Sequence, residues 1–80
     1  MKESQSRANF IRLAEKRTIR LLKDIELLGN LSNRSNYSYT EDEVKSIFKA
    51  ISKAITIAES RFQAGLKSRD NPKEFKLGQL

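Results

Sequence analysis

Two rows of cationic side chains repeat at the spacing of a helix face, and they are suited to contacting phosphates. The first row spans about 80° of a helix circumference and consists of Arg12, Lys16, Arg20 and Lys23. The second row repeats every four residues and consists of Lys45, Lys49 and Lys53. Such rows can neutralise a nucleic-acid backbone without reading its bases. A charged stripe opposite an apolar one is also the ordinary design of a solvent-facing helix, so both interpretations stay open.

The segment between the two rows, NLSNRSNYSYT at residues 30–40, offers a second kind of chemistry. Arg34 and Tyr37, with Asn36 beside them, can stack on bases or hydrogen-bond to them, as in proteins that bind single strands. Arg and Tyr are also common anchors of protein interfaces. The structural alternative is that the Asn and Ser side chains form ordered turns between two helices. The loop has too few cations to bind nucleic acid without the helix rows.

The composition argues against catalysis and metal binding. The chain has no Cys and no His, which removes thiolate and imidazole as nucleophiles, general bases and zinc ligands. Glu41, Asp42 and Glu43 are consecutive, so on a helix they point in different directions and form no ligand cluster. There is no glycine-rich phosphate loop. We therefore expect no catalytic residue, no cofactor and no metal site.

The first cationic row requires a helix, which the apolar periodicity predicts over residues 7–28. One face of this helix holds Phe10, Ala14, Leu21, Ile25 and Leu28. Gly29 follows where a C-terminal cap is expected. Arg17 falls near the edge of the apolar face, where we expect a structural ion pair or hydrogen bond.

The second row requires another helix, predicted over residues 41–66. Thr40 and Glu43 match a capping box, and Tyr39 is placed to pack on Val44 as a hydrophobic staple. We expect a break at or after Gly65. The apolar stripe is regular, with spacings of three and four, and consists of Val44, Ile47, Phe48, Ile51, Ala54, Ile55, Ala58 and Phe62.

Together these elements predict an all-α fold, an antiparallel two-helix hairpin over residues 1–66 with its linker at 29–40. Two helices leave apolar surface uncovered, so we expect a homodimer in which two hairpins form a four-helix bundle. Residues 67–80 are consistent either with a disordered tail or with a short helix beginning at Asn71 that docks on the hairpin.

Length and charge limit the class of protein further. Eighty residues make at most one small domain. The net charge of +6 favours polyanionic partners, DNA or RNA among them, or an acidic protein face. No apolar run is long enough to span a membrane, and the opening MKESQSRANF has no apolar stretch of the signal-peptide type. We therefore expect a cytoplasmic protein with no membrane partner.

The motifs FIRLAEKR, LLGNLSNRSNYSYTEDEV and IFKAI together resemble those of a family of short bacterial and mobile-element helical-hairpin proteins. Its pattern combines an Arg-rich first helix, a linker of the form NLSN…NY.YT and a second helix that opens with acids. The resemblance covers about residues 7–62, and the linker is its specific part. It implies a shared helical architecture and carries no assigned activity.

Two functions fit these observations. The first is a basic, non-enzymatic dimer that binds nucleic acid without strong sequence preference, with the two helix rows on phosphates and Arg34 and Tyr37 near bases. The second is a protein–protein interaction module, an inhibitor or assembly factor of a phage or mobile element, that acts through its loop or its apolar surface. Binding that weakens strongly with salt distinguishes the first from the second.

Overall fold

The computed structural model describes residues 2–70, and it describes side-chain surroundings for residues 4–68. Its elements are helix α1 (Lys2–Gly29), a short 3-10 helix (Asn30–Ser32) and helix α2 (Glu41–Asp70). No strand occurs within residues 2–70, and the predicted all-α class with two long helices is confirmed. The chain divides into two units between Ser38 and Tyr39, one containing α1 and the other α2.

Helix α1 is longer at its start than the sequence predicts. It begins at Lys2, ahead of the predicted start at residue 7. Residues 2–6 contain no Gly or Pro, and Lys, Glu and Gln are good helix formers. The apolar periodicity used for the prediction reveals a helix only where it has an apolar face, so it misses a polar first turn.

The end of α1 differs in conformation from the predicted cap. Gly29 has φ −61° and ψ −28°, the right-handed helical region, and no described residue has a positive φ. The chain instead tightens into the 3-10 helix Asn30–Ser32. A 3-10 turn satisfies the last carbonyls of a helix without a left-handed residue, so the conformational freedom of glycine is not needed here.

Asn33 organises the loop that follows. Its side-chain Oδ1 accepts a hydrogen bond from the Ser35 backbone N–H at 2.9 Å, the geometry of an Asx turn. Its backbone carbonyl accepts from the N–H groups of Asn36 at 3.1 Å and Tyr37 at 3.0 Å. The predicted structural role of the Asn-rich loop is confirmed at this residue.

The start of α2 is a complete capping box. The Thr40 hydroxyl accepts from the Glu43 N–H at 3.1 Å, and the Glu43 carboxylate accepts from the Thr40 N–H at 2.8 Å. The first intrahelical bond runs from the Val44 N–H to the Thr40 carbonyl at 3.2 Å. This confirms the predicted start at residue 41. Tyr39 and Val44, the predicted staple pair, are both half-buried.

Helix α2 does not break at Gly65, and the predicted end near residue 66 is wrong. The helix continues to Asp70. A glycine inside a helix costs about 1 kcal/mol relative to alanine, which weakens a helix but does not end it when helix formers such as Ala64 and Leu66 flank it. The helix predicted to begin at Asn71 lies outside the described residues.

The apolar faces of both helices remain in contact with water. Among residues 4–68 no side chain is fully buried. Three side chains of the first unit are half-buried: Leu13, Ala14 and Leu28. Three side chains of the second unit are also half-buried: Tyr39, Val44 and Ile51. Other members of the stripes stay exposed, with Phe48 at 49% and Phe62 at 60%. Within the described residues, neither unit by itself therefore contains a hydrophobic core.

Replacing Thr40 with Ala removes the acceptor for the Glu43 N–H and should lower the free energy of unfolding by about 1 kcal/mol. Urea unfolding followed by circular dichroism measures this. Thr40→Ser keeps the hydroxyl and is the matched control. Equal stability of Thr40→Ala and Thr40→Ser would contradict a stabilising role for the cap.

Replacing Gly65 with Ala should raise the free energy of unfolding by about 0.5–1 kcal/mol. A Cβ built on Gly65 meets no atom within 4 Å, so only the helix propensity changes. Ala64→Gly is the reverse change at the neighbouring residue and should lower stability by a similar amount. A loss of stability in Gly65→Ala would mean that something packs against this glycine.

Candidate nucleic-acid interface

The four cations predicted on the first helix all lie on α1 and all are exposed: Arg12, Lys16, Arg20 and Lys23. Their spacing places them on one side of the helix, opposite Phe10 and Leu28. Within the described residues none of the four takes part in an ion pair. The row is therefore a strip of exposed cations, without ion pairs in the described residues, that water and mobile anions can reach.

The cations of the second helix are also exposed, but one of them has a partner. The Lys45 Nζ lies 3.5 Å from a Glu41 carboxylate oxygen one turn earlier, and the two side chains are 72% and 83% exposed. Lys49 and Lys53 continue the same row toward the C-terminus. At such exposure an ion pair contributes only a few tenths of a kcal/mol, so an incoming phosphate can displace Glu41.

This ion pair was not predicted from the sequence, although its signal is present there. Glu41 precedes Lys45 by four residues, the spacing and order that favour an ion pair on a helix surface. The row on α2 thus begins with an acid and becomes purely cationic only from Lys49 onward. This makes the row on α1 the stronger phosphate-binding candidate of the two.

The two loop candidates belong to the same unit as α1. Arg34 and Tyr37 are exposed, and Tyr37 is 49% accessible. The turn around Asn33 fixes the backbone on both sides of them, because the Ser35, Asn36 and Tyr37 N–H groups all bond to Asn33. An arginine and a tyrosine on an ordered turn lose less entropy on binding a base or a protein than they would on a loose loop.

The cationic side of α1 also carries exposed apolar residues. Ile19 is 68% exposed and Leu27 is 51% exposed, and both lie outside the apolar stripe of the helix. Leu27 lies within the arc of the cationic row and Ile19 about 20° beyond its edge. Apolar atoms beside cations can contact sugars or bases, or a protein surface. The helical periodicity already places them outside the stripe, and apolar residues outside the stripe suggest contact with more than one neighbour.

Arg17 does not form the structural pair that the sequence suggests. It is exposed, and within the described residues no ion pair or hydrogen bond involves its guanidinium. At the edge of an uncovered apolar face the side chain reaches water without being desolvated, so it needs no partner.

Other kinds of site find little support in residues 2–70. No group of three or more His, Cys, Asp or Glu side chains that could hold a metal ion occurs among the described residues. Neither α1 nor α2 contains an apolar stretch of the length that crosses a bilayer. A shallow, solvent-open depression on α2 is lined by Ala58, Arg61 and Phe62, and it holds no chemistry-bearing group other than the guanidinium.

No family model, no curated protein and no solved structure matches this chain. The resemblance to short bacterial and mobile-element hairpin proteins therefore stays a prediction. The function has to be inferred from the side chains themselves.

Proposed function

We propose that this protein is a non-enzymatic nucleic-acid-binding protein that contacts the phosphates of DNA or RNA without strong sequence preference. In this proposal two chains associate as antiparallel hairpins into a four-helix bundle. The observation that carries the proposal is the row on α1, in which four exposed cations share one side of a helix and no described acid pairs with them.

The geometry of the row suits a phosphate backbone. Consecutive members are separated by three or four residues, so they stand about 4.5–6 Å apart along the helix axis. Because lysine and arginine side chains are long and that of lysine is flexible, neighbouring cations at this separation can reach neighbouring phosphates. A helix surface of this kind supplies affinity and orientation but no base discrimination, which is why no strong sequence preference is expected.

The proposed dimer would have two consequences for the chain. It would cover the apolar faces that the described part of one chain leaves in water. It would also double the number of cations on one particle, and the affinity for a polyanion rises steeply with the number of phosphates neutralised. Lys49 and Lys53 on α2, with Lys45 after displacement of Glu41, would extend the basic surface. Arg34 and Tyr37 would lie nearest to unpaired bases.

A protein partner is the second candidate, and specific exposed residues favour it. Leu31 is 46% exposed and Tyr37 is 49% exposed on the ordered loop, a combination of apolar and aromatic groups found at protein interfaces. In this case the chain would act as an inhibitor or assembly factor. Its complex would have fixed stoichiometry and would survive moderate salt.

The double variant Arg12→Gln/Arg20→Gln should bind a mixed DNA and RNA pool at least about tenfold more weakly at low salt, because each arginine–phosphate pair is worth roughly 1 kcal/mol. The slope of log affinity against log salt should also fall, by roughly one for each phosphate that is no longer neutralised. Fluorescence anisotropy at several salt concentrations measures both quantities.

The matched control is Arg7→Gln/Arg17→Gln, which removes the same charge from the same helix but from its apolar side. It should bind nearly as well as the unchanged protein. If both double variants lose affinity equally, the binding follows net charge and the α1 row is not a site. If the unchanged protein shows no salt-dependent binding at all, the nucleic-acid proposal fails and the protein-partner candidate is favoured.

A further inference from the structure

The apolar stripe of α2 contains a narrower seam with a strict heptad rhythm. Six residues repeat with alternating spacings of four and three and fall within about 80° of one another on the helix: Val44, Phe48, Ile51, Ile55, Ala58 and Phe62. In the described chain Val44 and Ile51 are half-buried, and Phe48, Ile55 and Phe62 are 49%, 46% and 60% exposed. A seam of this spacing is suited to another helix packing along it.

We propose that the occupant is α2 of a second copy of this chain, packed antiparallel with the two-fold axis at the level of Lys53. This inference rests on the dimer in the proposed function. It further specifies the helix that forms the interface, the antiparallel direction of the two helices and their register. The occupant is identified by the size of the facing side chains and by charge complementarity along the flanks.

In this register each large side chain faces a position that can accommodate it. Ile51 faces Ile55 of the second copy at the centre, and Phe48 faces Ala58. The shallow depression lined by Ala58, Arg61 and Phe62 lies at the level that Phe48 of the second copy reaches. At the ends Val44 faces Phe62. Because the small Ala58 lies opposite the ring of Phe48 on each side of the centre, the two helices can interdigitate without a steric clash.

The flanks of the seam place opposite charges together. On one side Lys45 stands opposite Glu59 of the second copy, offset by about 3 Å along the axis. On the other side Arg61 stands opposite Glu43. The two-fold axis repeats each pair, so four pairs form. A parallel, in-register dimer would bring neither pair together, because the members lie about 20 Å or more apart along one helix. Each pair is exposed and modest in energy, so the pairs mainly select direction and register.

The centre of the proposed interface allows the helices to approach closely. Ser52 and Ala54 flank the seam on opposite sides next to the two-fold axis, and each would meet its own counterpart. The counterparts are offset by only about 3 Å along the axis. Small residues at this point allow a short interhelical distance, and they also provide a direct test by disulfide formation.

Single-cysteine variants test the inference cleanly, because the chain contains no native Cys. Ser52→Cys and Ala54→Cys should each give a disulfide-linked dimer under mild oxidation, read on a non-reducing gel without nucleic acid. Ala58→Cys is the matched control on the same seam, because its counterpart would lie about 15 Å away. It should cross-link at least about tenfold less. Lys53→Cys, on the outer side of the helix, should also give this low yield of cross-linked dimer.

An equal yield from Ala58→Cys and Ala54→Cys would overturn the register and favour a parallel pair. A protein that is dimeric by light scattering but gives no cross-link at Ser52 or Ala54 would show that a different surface forms the dimer. Circular dichroism of each variant checks that the helices are retained. Because nucleic acid is absent, failure here is separate from failure of the phosphate-binding proposal, which the Arg12→Gln/Arg20→Gln series tests independently.

Discussion

An α-helix carries its apolar face on the outside of its own backbone, so the face is buried only when another element packs on it. This constraint governs the whole chain. Both helices have such a face, and among residues 4–68 no side chain is fully buried. Helices in proteins are stabilised chiefly by packing of their amphipathic faces. A chain with no disulfide and with no metal cluster among its described residues has few other sources of stability. In the proposed dimer, packing against a second copy would supply the stability that these sources do not.

The distribution of charge follows from the same constraint. If the apolar faces are used for association, the opposite sides of the helices become the outer surface of the particle. On α1 that side carries Arg12, Lys16, Arg20 and Lys23 without described counter-charges. On α2 the corresponding row is partly compensated at its start by Glu41. In the proposed dimer, association and phosphate binding would use opposite sides of α1, so variants on one side of α1 can be interpreted separately from variants on the other.

Much of the local structure followed from the sequence, for reasons that individual residues make clear. Thr40 and Glu43 form the predicted cap because the capping box depends only on residues three apart. Asn33 forms its turn because the Asx bond is equally local. The errors arose where the signal was indirect: the polar first turn of α1 has no apolar face to reveal it, and Gly65 weakens α2 without ending it.

The candidate site was predictable only in part. The cationic rows could be placed by helical spacing alone, and the structure puts each of their members on an exposed surface. The Glu41–Lys45 pair is equally local, but a pattern of cations alone does not include the acid that begins the row. What covers the apolar faces depends on contacts between distant residues or separate chains, and periodicity shows that a face exists without identifying what packs on it.

Light scattering coupled to size-exclusion chromatography, run over a range of protein concentrations without nucleic acid, measures whether the chain needs a second copy to stay folded. We expect twice the mass of one chain at micromolar concentration and above. The helical content should fall together with the mass on dilution, because folding and association are then one equilibrium. A particle of single-chain mass that stays fully helical and unfolds cooperatively would rule out the proposed dimer, since it would show that the chain completes a core without a second copy.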